Sequence, residues 1–215
     1  DPYGGALTGV LGVQRDVLGT GLGALPIANL DVLCFGYLNE TNVPKGLLHP
    51  KRIYDGVIRG IEHGGNKMGI PTINGSITFD KNFTARPLVY SGTVGIMPSQ
   101  IGERKTSEKI IRPGDLVVMV GGRIGKDGIH GATFSSLQLE ENVPQSVVQI
   151  GDPITQKKMQ DFLIEARDKR LYDAITDNGA GGLSSSVGEL ALFSGGCEIF
   201  LQNCPLKYPG LQPWE

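Results

Sequence analysis

The chain has 215 residues, 40% hydrophobic and 20% charged, with 20 Lys and Arg against 22 Asp and Glu for a formal net charge of −2. That is enough apolar material for one large or two small cores, which excludes a disordered chain, and a near-neutral balance that exerts no pull on nucleic acid. No stretch approaches the ~18 consecutive apolar residues of a membrane span, so neither nucleic acid nor a membrane is an expected partner.

In chain order, the apolar alternation Val10, Leu11, Val13 runs into the adjacent pair Arg15-Asp16. Residues 27–36 read as a strand, and 50–68 as a helix opened by Pro50 and closed near Gly69. That helix has a clear face: Ile53, Val57, Ile58 and Ile61 recur at helical spacing, opposite Arg52, Asp55, Arg59 and Glu62. Two strands follow, Thr72 to Phe79 and Pro87 to Met97, joined by the polar stretch Asp80 to Thr84, which has hairpin character. Residues 98–112 are charged and weakly periodic and mark a domain boundary, dividing the chain into 1–103 and 104–215.

The second half opens with the apolar run Leu116 to Val120, a predicted strand that ends on a glycine-rich loop through Gly131. Asp152-Pro153 leads a helix to about Arg170, with Met159, Phe162, Leu163 and Ala166 inward; Ala174 to Thr176 reads as a strand and Ser184 to Phe193 as a helix. A last strand, Glu198 to Leu201, precedes the extended segment Pro205 to Gly210. The fold class is mixed α/β in two domains.

Glycine is the compositional outlier, at 32 residues against a usual ~7%. Clusters such as Gly121 to Gly128 and Asp177 to Gly182 suit loops that approach a ligand closely. The loop from Gly121 to Gly131 can present backbone N–H groups to phosphate oxygens, with Arg123 and Lys126 adding charge, or be an ordinary strand-to-helix turn. It is not a P-loop, because Val120 stands at the first required glycine and Asp127 where Ser or Thr belongs. Asp177 is either a magnesium-binding carboxylate at a strand end or a cap of the helix that follows; Arg15-Asp16 is either a phosphate-and-cation pair or a surface ion pair. His130 alone among three histidines sits in a glycine-rich loop. Cys34, Cys197 and Cys204 are too few and too irregular for a disulfide framework and read as core residues of a protein from a reducing compartment.

The strings Pro2-Tyr3-Gly4-Gly5-Ala6, Gly12 to Val17, Asp127 to Ser136, Gly151-Asp152-Pro153 and Asp177 to Ser185 together resemble the formylglycinamide ribonucleotide amidotransferase family, and the resemblance runs end to end. It implies an AIR synthetase-like unit, whose N-terminal mixed-sheet domain pairs with a second copy and whose C-terminal α/β domain covers the cleft. It also implies a cytoplasmic carbon–nitrogen ligase of purine biosynthesis. On that resemblance, ATP and Mg²⁺ are expected to activate the substrate amide of formylglycinamide ribonucleotide to an iminophosphate, from which ammonia supplied by a glutaminase domain or subunit displaces the phosphate.

By motif the resemblance makes Arg15 and Gln149 substrate contacts, Asp16 and Asp177 magnesium ligands, and Gly128, His130 and Gly131 nucleotide contacts. The family's histidine-bearing Glu-Thr-x-Asn stretch and its Glu-Ser-Gln loop are expected just outside the two ends, which reads the chain as a synthetase piece without a complete active site. Two alternatives stand beside this reading: a relative of the selenophosphate synthetase or thiamine-monophosphate kinase type, and a non-catalytic dimerisation module with exposed sheet edges.

Overall fold

The computed structural model describes residues 1–128, 131 and 149–214. The chain opens with α1, Pro2–Leu18, where the sequence suggested only an apolar alternation. Asp1 caps this helix through Tyr3 and Gly4 N–H, Pro2 begins its first turn, and Gly19 ends it. Its buried stripe of Leu7, Val10, Leu11, Gln14 and Leu18 has the 3–4 spacing of one helical face.

Strand β1, Leu25–Phe35, then leads to α2, Pro50–Met68, which ends on Gly69 in the left-handed region (φ 70°). The two helices lie against each other with little between them. A methyl group at Gly60 would fall 2.6 Å from the Tyr3 carbonyl oxygen, so only glycine allows this approach. The Tyr3 hydroxyl and His63 Nδ1 lie 2.9 Å apart across the same seam.

Strands β2, Thr72–Phe79, and β3, Leu88–Ile96, flank β1 in the order β2-β1-β3, with β1–β2 parallel and β1–β3 antiparallel. The hairpin expected between β2 and β3 is therefore not formed: β1 lies between them. The connection, with a 3₁₀ turn at Lys81–Phe83 capped by Asp80, crosses the end of β1. It passes so close that a side chain at Gly36 would strike Thr84 Cα at 2.8 Å.

On the helix-covered face, Leu33 and Phe35 of β1 pack with Ala6, Val57, Ile53 and Tyr54. On the opposite face Val32, Leu88, Tyr90 and Val94 are exposed.

The segment after β3 is fastened to the first half. It forms a two-stranded hairpin, β4 (Gln100–Ile101) and β5 (Arg104–Lys105). Beyond it Thr106, 1% exposed, accepts from Leu22 N–H through its carbonyl and gives its hydroxyl to Pro98 O.

In the second half α3 is Pro153–Asp168, capped by Asp152, and α4 is Gly182–Ser194. The inward face of α3 differs from expectation. Leu163 and Ala166 are buried, but Phe162 is 55% exposed, and Gln156, Gln160 and Arg167 lie inside instead. The surface that receives α3 is polar, offering the carbonyls of Leu11 and Gly23 as acceptors.

The strands expected at Leu116–Val120, Ala174–Thr176 and Glu198–Leu201 are not formed among the described residues; Leu201–Asn203 is a 3₁₀ turn. Leu116 and Val118 are exposed, with no strand partner among the described residues. A single parallel bridge joins Ile124 and Leu206. The cysteine expectation also needs correction: all three are free, but none is a core residue, Cys34 and Cys204 being partly exposed and Cys197 exposed.

Candidate functional site

The second half of the chain packs along α1, with Asp177 beside the helix's C-terminal end, where Arg15 and Asp16 lie, and Gln149 and Gly128 near Thr8. Arg15 and Asp16 leave the last turns of the helix. The Arg15 guanidinium donates to Gln156 Oε1 at 3.0 Å, so its hydrogen bond goes to α3 and not to a surface carboxylate.

Asp16 and Asp177 face each other across the two halves, near enough for the charge of one carboxylate to act on the other. Partial burial, then the neighbouring Asp177 carboxylate, raise the Asp16 carboxyl above its usual value, while Arg15 pulls it down. Asp177 is not the cap of α4: Gly181 holds that position, and no side chain caps the helix. The loop approaches α1 so closely that a methyl group on Gly19 would lie 3.0 Å from the Asp177 backbone nitrogen.

Lys109 lies beside the same acidic pocket and donates to the Gly19 carbonyl at 3.1 Å. Burial lowers its ammonium pKa, and the charges of Glu189 and Asp177 oppose that shift. No group of three or more His, Cys, Asp or Glu forms a metal cage among the described residues. Two carboxylates pressed together nevertheless suit Mg²⁺, which keeps several waters and takes its remaining ligands from phosphates.

Gln149 arrives at α1 one turn and more toward the N-terminus. Its carbonyl accepts from the Thr8 hydroxyl at 2.6 Å, and the same hydroxyl accepts from Gly151 N–H at 2.9 Å. Gly128, in a turn at φ 80°, lies against Gln149, where a Cβ would sit 2.8 Å from Gln149 Cβ. Gly131 N–H donates to Gly128 O at 2.9 Å. His130 lies outside the described residues.

Thr8 and Arg15 are seven residues apart, roughly 10 Å along a helix, so the Gln149 backbone and Arg15 lie along one face of α1. Close by, Asp127 pairs with Lys207, which together with a Tyr208 hydrogen bond holds the Asp127 carboxyl below its usual range.

Thr8, Gln14, Lys109 and Gln156 were not singled out from the sequence. Only the spacing of Gln156 and Gln160 with Leu163 and Arg167, which makes one helical stripe, held a signal, and a polar stripe reads by default as the solvent face.

Two family models match the chain: the AIR synthase related protein N-terminal domain over residues 1–97 and the C-terminal domain over 112–215. The chain belongs to the AIR synthase related family. It is 41% identical to the phosphoribosylformylglycinamidine synthase subunit PurL of Thermoplasma acidophilum, over the whole of this chain and 28% of that protein. The chain thus spans less than a third of the relative's length. Among solved structures, T. maritima PurL complexed with FGAR superposes with a TM-score of 0.79 at 33% identity, covering 100% of this chain and 33% of that one. T. maritima PurL complexed with AMPPCP gives a TM-score of 0.70 at 30% identity, over 99% of this chain and 30% of that one. The mixed α/β expectation and the family resemblance are borne out.

Proposed function

We propose that the chain forms part of an ATP-dependent synthetase that converts formylglycinamide ribonucleotide, ATP and glutamine-derived ammonia to formylglycinamidine ribonucleotide. The observation that carries this reading is the meeting of Asp16 and Asp177, one from each half of the chain, with Arg15 beside them and its hydrogen bond on Gln156. Arg15 and Lys109 share this junction with the two carboxylates, and Mg²⁺ bound between Asp16 and Asp177 would supply neutralisation of the nucleotide phosphates as charge builds in phosphoryl transfer.

On this reading Asp16 and Asp177 hold the metal, while Arg15 and Gln149 hold the two ends of the substrate along α1. Gly128, His130 and Gly131 supply the nucleotide contacts, with backbone N–H groups free of side-chain obstruction at the glycines. The domains divide at residues 103 and 104, and the protein works in the cytoplasm beside a glutaminase domain or subunit.

The exposed sheet face of Val32, Leu88, Tyr90 and Val94 is where a second copy of the N-terminal domain docks. Both halves contribute carboxylates to one locus, which favours a synthetase over a dimerisation module that needs only the sheet.

Isothermal titration with Mg·ATP and with formylglycinamide ribonucleotide tests the proposal, alongside Asp177→Ala. Expected is Mg²⁺-dependent nucleotide binding that the variant loses. Nucleotide binding that is indifferent to both magnesium and the substitution overturns the metal assignment, and absence of binding to either ligand that persists when the flanking segments of the parent synthetase are supplied overturns the reading as a whole.

A further inference from the structure

Arg15 does not stand alone. Its acceptor, Gln156, is 6% exposed and belongs to α3, in the other half of the chain. The Gln156 amide is used at both ends: Oε1 accepts from Arg15 at 3.0 Å, and Nε2 donates to Leu11 O at 2.9 Å, with Gln14 Oε1 at 3.5 Å. A guanidinium has only donors and a carbonyl only acceptors, so this orientation is the one the neighbours permit.

Gln14 continues the chain inward. Its Nε2 donates to Asn29 Oδ1 at 3.3 Å, and that oxygen also accepts from the Thr93 hydroxyl at 3.0 Å. Gln14 and Asn29 are 1% and 0% exposed, so the network is anchored in the floor of the sheet, away from solvent competition. Five side chains, Thr93, Asn29, Gln14, Gln156 and Arg15, thus run from β3 through β1 and α1 to α3 and back to α1.

We propose that Gln156 is a positioning residue for Arg15: it sets the aim of the guanidinium toward the substrate and makes that aim depend on the seating of α3 against α1. The inference rests on the reading of Arg15 as a substrate contact. An arginine held at one edge by a neutral amide keeps its full charge and its outward N–H groups for an anionic or carbonyl ligand, whereas a carboxylate at the same place would neutralise it. Other amino acids of similar length fail here. Glutamate lacks the donor that Leu11 O requires, and methionine lacks both functions.

The test is a double-mutant cycle on this chain with Gln156→Met and Arg15→Met, read by titration with formylglycinamide ribonucleotide and, separately, with Mg·ATP. Expected for Gln156→Met is about tenfold weaker binding of the ribonucleotide, with unchanged Mg·ATP affinity and no further loss when added to Arg15→Met. Gln156→Asn, with the same amide one methylene shorter, covers the case in which the methionine variant folds poorly, and the same loss is expected. Ribonucleotide affinity unaffected by either Gln156 variant, or a loss that persists undiminished on the Arg15→Met background, overturns the inference alone. Loss of both ligands in step with the melting temperature also overturns it, by making the role structural. If Arg15→Met itself leaves ribonucleotide affinity unchanged, the reading of Arg15 falls and the inference with it.

Discussion

The Thr8 hydroxyl bridges the backbone on both sides of Ile150, donating to Gln149 O at 2.6 Å and accepting from Gly151 N–H at 2.9 Å. One side chain of α1 thus fixes the backbone of Gln149 and the entry to α3. Valine has the same shape without the hydroxyl, so Thr8→Val leaves a donor and an acceptor unmatched at the seam. Expected is a loss of about 1 kcal/mol in urea unfolding, recovered by Thr8→Ser, with ribonucleotide affinity following the same order. A valine variant as stable as the parent would show that water serves the backbone groups equally well.

The Asp16–Asp177 pair sets stability against metal binding. The two carboxylates repel each other, an effect that Arg15 and Lys109 moderate, and one of them is partly desolvated, as the raised Asp16 carboxyl records. Asp177→Asn keeps the shape and removes a charge. In metal-free buffer the variant is expected to melt at or slightly above the parent's temperature, whereas millimolar Mg²⁺ should raise the melting temperature of the parent alone. A variant that melts lower in chelator and still responds to Mg²⁺ would assign the aspartate to holding its loop.

Gly60→Ala addresses the packing of α1 on α2. The added methyl would sit 2.6 Å from Tyr3 O and 2.9 Å from Ala6 Cβ, both on the facing helix and neither the free end of a flexible side chain. Alanine is intrinsically the better helix former, by up to about 1 kcal/mol, but overpacking costs about 1–3 kcal/mol. Net destabilisation is therefore expected, as a lowered urea midpoint with the slope unchanged. A gain in stability would mean that the helices part without loss.

What could be read from the sequence followed from how local the determining physics is. Helix α2 was legible because its apolar face and both ends, Pro50 and Gly69, are written within 20 residues. Helix α1 was not, because Gly4, Gly5, Gly9 and Gly12 depress helix propensity and its buried stripe includes Gln14. The order β2-β1-β3 depends on a crossover that passes over Gly36, and nothing in the Asp80 to Thr84 stretch distinguishes that path from a hairpin. The inward face of α3 was misjudged at Phe162 because its partner surface offers carbonyls, so Gln156 and Arg167 outcompete the ring for the interior. Residues 16 and 177 were paired by family resemblance alone; no spacing rule brings together carboxylates 161 positions apart.

Tyr172 offers a pH test of how the second half sits on the first. Its hydroxyl donates to Leu22 O at 2.7 Å, with Leu163 O at 3.2 Å, and burial pushes its pKa up from 10.0 to about 12, with Arg167 opposing and Asp168 adding to the shift. Between those two values the folded state keeps a proton that the unfolded state has released. The unfolded chain then binds fewer protons, so this contribution is intact below pH 10 and is lost as pH rises toward 12. Because the ring is only about half buried, the loss is on the order of 1 kcal/mol after solvent screening. Tyr172→Phe gives up the hydrogen bond to Leu22, at about 1 kcal/mol near neutrality, but carries no phenol to ionise. Urea unfolding of both proteins at about pH 9 and about pH 11.5 should therefore show the gap between them narrowing with pH. Parallel decline of the two would place the alkaline sensitivity elsewhere, among the exposed lysines and tyrosines, and would mean that Tyr172 ionises no later in the folded chain than in the unfolded one.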